Sequence, residues 1–141
     1  MRFALVIAAA ALAGCAYNSP LTGANTTTVV QPSPAGSEQT YRTILPVVRQ
    51  CYTAGFAIES NYFPEAKEGE ITIVSTADLV RVEHARLTIA PAGTAAKVTM
   101  VRKLNQPALD KALPAWIAGQ DGGCPFGDPR PPGSTTAQQN R

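Results

Sequence analysis

Apolar residues recur along this chain with two periods, and the changes of period mark its elements. In 37–55, SEQTYRTILPVVRQCYTAG, residues Tyr41, Ile44, Leu45, Val48, Cys51 and Tyr52 fall at spacings of three and four. That spacing puts them on one face of a helix. Ser37 reads as its N-cap, Glu38 places an acid in the first turn, and Gly55 reads as its C-cap. Pro46 removes a hydrogen bond from the middle of this helix, so a bend is expected just before it. From residue 56 the period drops to two. FAIESNYF (56–63) sets Phe56, Ile58, Ser60 and Tyr62 on one side, and PEAKEG (64–69) is a charged turn. EITIVST (70–76), LVRVEHARLTIA (79–90) and AAKVTMVRK (95–103) are three more strands, with Gly93 in the connection between the last two. In the final strand Lys97, Thr99 and Val101 alternate against Val98, Met100 and Arg102.

The strand at 79–90 changes phase. Val80 and Val82 share one parity, whereas Ala85, Leu87 and Ile89 share the other. One extra residue near His84 reconciles them, so a β-bulge is predicted there. A helical period returns in NQPALDKALPAWIAGQ (105–120), where Leu109, Ala112, Leu113, Trp116 and Ile117 form the apolar stripe. Asn105 or Gln106 caps this helix, Pro107 suits its first turn, and Gly119 ends it; Pro114 repeats the oddity of Pro46. The order is helix, four strands, helix. This predicts an α+β two-layer sandwich: a four-stranded antiparallel meander with the N-terminal and C-terminal helices on one face (α-β-β-β-β-α).

The flanks carry neither period. Residues 15–37 are rich in Pro, Gly, Ser, Thr and Asn, with only the short TTTVV as a strand-like run. They read as a flexible tether, and a 20-residue coil reaches roughly 25 Å. The tail at 125–141, PFGDPRPPGSTTAQQNR, reads as disordered and proline-rich. The folded domain is therefore expected over 38–124.

The first residues have a different character. Arg2 precedes a ten-residue apolar run at 3–12, which ends in Leu12-Ala13-Gly14-Cys15. The run is too short to span a bilayer, which takes roughly 20 residues, and fits the apolar core of a signal peptide. The Leu-Ala-Gly-Cys ending resembles the lipobox of bacterial lipoproteins; the other reading is an ordinary secretory signal with an incidental cysteine. The resemblance covers residues 1–15 and implies that 1–14 are removed. It further implies that Cys15 carries the lipid and becomes the new N-terminus. In Gram-negative lipoproteins an aspartate after the cysteine retains the protein in the inner membrane. Ala16 stands there, which points to the outer membrane, facing the periplasm.

Removal of the signal leaves 127 residues, one domain's worth at most. The full chain carries a net charge of +2, including Arg2, so the remainder is near neutral. No basic surplus argues for nucleic acid. With Cys15 lipidated, Cys51 and Cys124 remain, in an oxidising compartment where disulfides persist. We expect them to pair, closing a loop of about 74 residues and contributing on the order of 4 kcal/mol. Two free thiols or a metal pair are the alternatives, and two cysteines with one histidine make a poor zinc site.

Catalytic chemistry leaves little trace. His84 is the single histidine, next to Glu83 and with Glu59 on another predicted strand. A His–Glu pair suits acid–base work, but a surface or bulge histidine is the ordinary reading. No G-x-S-x-G elbow, phosphate-binding glycine loop, H-E-x-x-H helix or calcium loop occurs. No catalytic residue, metal ligand or cofactor is assigned. Arg81, Arg86, Lys97 and Arg102 fall on the last two strands and make the candidate binding face, suited to an acidic partner or to envelope phosphates. The plainer reading is an ordinary solvated sheet face. The function expected is a non-enzymatic binding or structural module, held to the membrane by its N-terminal lipid and meeting an envelope protein or component. The alternatives are a small-ligand or lipid carrier, and an inhibitor or hydrolase acting on envelope components. A deep cavity between the layers would favour the carrier, and a filled sandwich the binding module.

Overall fold

The computed structural model describes residues 20–52, 55–77, 80–122 and 124–125. The chain is α+β, with a five-stranded antiparallel sheet and two helices. A short 3-10 turn, Gly23–Asn25, leads into β1 (Thr26–Ser33), followed by α1 (Ser37–Cys51), β2 (Phe56–Phe63), β3 (Glu68–Ala77), β4 (Val80–Ala92), β5 (Ala95–Lys103) and α2 (Ala108–Ile117). The spatial order is β1-β5-β4-β3-β2. The last four strands form the expected meander. The expected four-stranded sheet needs correcting, because β1 from the stretch read as tether adds a fifth strand alongside β5, from Thr26 opposite Lys103 to Ser33 opposite Ala96. A strand at the edge needs one partner and one apolar face, which Val29 supplies by packing on the core. Pro32 is tolerated there, since an edge strand has a row of N–H groups with no ladder partner.

Both helices pack on one face of the sheet, the inner face. Ile44 and Val48 of α1 and Leu109, Leu113 and Trp116 of α2 meet Ile71, Ile73, Leu87, Ile89, Val98 and Met100, and all of these side chains are fully buried. The inner side of β2 is the one read from its alternation: Tyr62 stacks on Tyr41, Phe56 on Tyr52, and Ser60 accepts from Arg49. Gly69 is needed for this packing, because a Cβ there would lie 2.5 Å from the Tyr41 ring. The bulge also falls where the phase change predicts. Ile73 pairs with Ala85 and Val74 with Glu83, leaving His84 unopposed in the ladder.

Each helix runs through its proline without a break in the element. Pro46 and Pro114 are both exposed. The carbonyls they leave unbonded, those of Arg42 and Asp110, lie one turn earlier on the same side, within reach of water. α1 begins at the expected cap itself, Ser37, so its N-cap lies one residue earlier than expected. Gly36 is the N-cap, extended at φ −62° and ψ 162°, and its carbonyl accepts from Thr40 N–H; it has no side chain to cap with. α2 ends in a Schellman motif: Gly119 at φ +75° donates to the Trp116 carbonyl and Gln120 to that of Ala115.

Candidate functional site

The strand register decides which of the expected basic residues share a face. Arg81, Arg86 and Lys97 stand on the open face of the sheet, beside Thr76, Thr72 and Ala90 respectively on their neighbours. Arg102 does not. It lies opposite Ala85 and Thr27, on the inner face, and is only 5% exposed. Its guanidinium grips Asp110 of α2 with both Nε and Nη2 at 2.5 Å, and Nη1 donates to the Lys103 carbonyl at 2.9 Å. The hydrogen bonds from Arg102 hold the Asp110 carboxyl below its usual range. Arg102 therefore docks a helix and is removed from the binding face.

On the open face the arginines are occupied by two glutamates. Arg81 spans β3 to reach Glu59 on β2, with Nε 3.2 Å from Oε1 and Nη2 2.6 Å from Oε2. Its Nη1 meets Glu83 Oε1 at 2.7 Å, and Arg86 Nη2 meets Glu83 Oε2 at 2.8 Å. Glu83 is 5% exposed despite lying on the open face. Burial pushes its carboxyl up, but the hydrogen bond from Arg81, the charges of Arg86 and Arg81, and the Leu21 backbone N–H outweigh this and hold it below the ordinary range. The arch of charged groups covers Thr72 and Val74 of β3, which are buried too. Two cations and two anions close on each other, so this part of the face presents no net positive field. Lys97 stays exposed and apart from it.

His84 and Glu59 do not form the acid–base pair. Glu59 is on the open face with Arg81, whereas the bulge turns His84 to the inner side. There Nε2 lies 2.7 Å from Ser75 Oγ and Nδ1 2.7 Å from Gln106 Nε2, and the ring meets Phe56 edge-on. Burial, and then the charge of Lys103, lower the imidazole's pKa and favour its neutral form.

Cys51, at the end of α1, and Cys124, beyond α2, lie at disulfide distance, with Cα atoms 5.0 Å apart. Trp116 Nε1 donates to the Asp121 carbonyl at 3.1 Å and fixes the chain on its way to Cys124. Among the described residues no three His, Cys, Asp or Glu side chains gather as a metal site, and no helix is long and apolar enough to cross a membrane. Cys15, the signal at 1–14 and the tail from 126 onward lie outside the described residues. Glu59 and Glu83 had no signal in the sequence as partners of Arg81, because only the register brings them together. No protein-family model, curated protein or solved structure matches the chain.

Proposed function

We propose that the protein is an envelope lipoprotein, moored through an acylated Cys15 to the periplasmic side of the outer membrane, where it serves as a non-enzymatic binding or structural module. The observation that carries this reading is the Cys51–Cys124 pairing. A disulfide closing so long a loop belongs to an oxidising compartment, in agreement with an export signal that ends at Cys15. The filled interior favours a binding module over a carrier, since Trp116, Ile44, Leu113 and their neighbours occupy the space between helices and sheet. What remains for a partner is on the surface: Val30 of β1 at 54% exposure, Phe63 of β2 and Leu104 are large apolar groups open to solvent.

Mass spectrometry of the N-terminal peptide from the native host tests the anchor. The expected peptide starts at Cys15 and carries a diacylglyceryl thioether; a bare cysteine or another start overturns the localisation. Crosslinking in intact cells tests the module. A discrete protein or envelope adduct is expected, and recovery of lipid alone overturns partner binding.

A further inference from the structure

At the end of the sheet where β1 begins and β5 finishes, two loops are laid side by side. Thr26 pairs with Lys103, and one residue further the Leu104 N–H donates to the Asn25 carbonyl at 2.9 Å. This joins the segment 21–25, ahead of β1, to the segment 104–107, between β5 and α2. Both are pinned. The Leu21 N–H bonds to Glu83, the Thr22 N–H donates to Asn25 Oδ1 at 3.1 Å, and the Asn25 N–H returns to the Thr22 carbonyl at 3.0 Å. On the other segment the Gln106 N–H donates to the Lys103 carbonyl at 3.2 Å, and Arg102 Nη1 reaches the Lys103 and Leu104 carbonyls at 2.9 and 3.4 Å.

These bonds hold the Leu104 side chain out in solvent, 56% exposed. A single exposed leucine is ordinary on a surface; its surroundings are not. Residues 21–25 (LTGAN) and 104–109 (LNQPAL) contain no charged side chain, and Ala24, Asn105, Pro107 and Ala108 are exposed with it. The charges packed behind the loops are spent on each other, Arg102 on Asp110 and Glu83 on Arg81 and Arg86, while Lys103 flanks them at the end of β5. A pinned, uncharged rim with one projecting leucine and a flanking lysine suits the headgroup–acyl boundary of a bilayer. The point of entry of the chain selects that occupant. Five residues separate Cys15 from Leu21. At ~3.5 Å per residue they are shorter than a domain of about 100 residues is wide, its radius of gyration being about 13 Å. A lipid on Cys15 therefore does not reach round to the opposite end, where Phe63 and the β4–β5 connection lie.

We propose that Leu104 and the two loops beside it are the membrane-contacting end of the domain, with Leu104 entering the leaflet that holds the Cys15 lipid. This rests on the anchor proposed above, so the test supplies the anchor itself. The chain from Cys15 to Arg141, with the Cys51–Cys124 disulfide intact, is alkylated at the Cys15 thiol with a single myristoyl-length chain and mixed with vesicles of phosphatidylethanolamine and phosphatidylglycerol. One such chain binds membranes only marginally and reversibly, so a contribution from the domain is measurable by sedimentation. Leu104→Ser is expected to lower the partition coefficient about tenfold, the worth of one buried leucine side chain. Phe63→Ser, at the opposite end, is expected to leave it unchanged, and Tm should hold in both variants because both side chains are exposed. A second reading uses fluorescence against the constant signal of the fully buried Trp116. The added emission of Leu104→Trp is expected to shift to the blue and to fall about twofold or more with brominated lipid, whereas that of Phe63→Trp should not respond. Equal partition of Leu104→Ser and the parent, no quenching of Leu104→Trp, or equal quenching of Phe63→Trp overturns the proposal and leaves Leu104 to a protein partner or to water. An unacylated Cys15 in the native host would overturn the anchor alone, so the two failures are distinct.

Discussion

Two polar side chains set within the layers define the chemistry of single residues here. Arg102 is an internal arginine whose charge is met by one carboxylate, Asp110, and by backbone carbonyls. Asp110→Ala strands that charge. A loss of about 1–3 kcal/mol is expected in urea denaturation, less than for a fully enclosed pair because Asp110 itself reaches water. The pH dependence has a definite sign. A carboxyl held below its unfolded value stabilises the fold above pH ~4, and that contribution is lost as pH falls through the lower folded value. Asp110→Ala should therefore show a shallower acid limb than the parent. His84 acts in the same direction at higher pH. Its folded pKa is lowered, first by burial and then by Lys103, so its stabilising contribution is complete above pH ~6.5 and shrinks as pH falls. Between pH 7.5 and 5 the Tm of the parent should fall more steeply than that of His84→Gln; parallel curves would remove this role.

At the scale of elements, the staple and the edge strand carry the measurable consequences. Cys51→Ser is expected to lower stability by about 2–5 kcal/mol, and reductant should bring the parent down to the same urea midpoint. β1 gives a second test. A chain beginning at residue 34 loses Val29 from the core and leaves β5 with an open edge. It should be aggregated or unfolded by circular dichroism and size exclusion, whereas removal of residues 1–19 alone should leave the sheet intact. The elements differed in how readily the sequence disclosed them. The meander and both helices were legible because each carries a long periodic stripe, and the bulge was legible because Val82 and Ala85 disagree in parity. β1 was not, since TTTVVQPS holds a proline and only one core residue, the pattern of a strand that touches a single neighbour. The split of Arg102 from Arg81, Arg86 and Lys97 needed both the bulge and the register. Its own alternation with Lys97 was the available clue.

For the molecule as a whole, the inner face is a closed core and the open face is a mostly self-neutralised surface. Large apolar groups open to solvent remain at its margins: Val30 of β1, Phe63 of β2 and Leu104.

The clasp between the Leu21 amide and Glu83, followed by the ladder from Thr26, has a consequence for distance. It takes up the slack of the N-terminal segment well before the first helix begins. If the acyl group sits on Cys15, only five residues separate it from Leu21, and those six Cα-to-Cα steps cover about 20 Å when fully extended. A leash so short keeps the domain beside the headgroups and limits its reach to neighbours lying in or immediately above the leaflet.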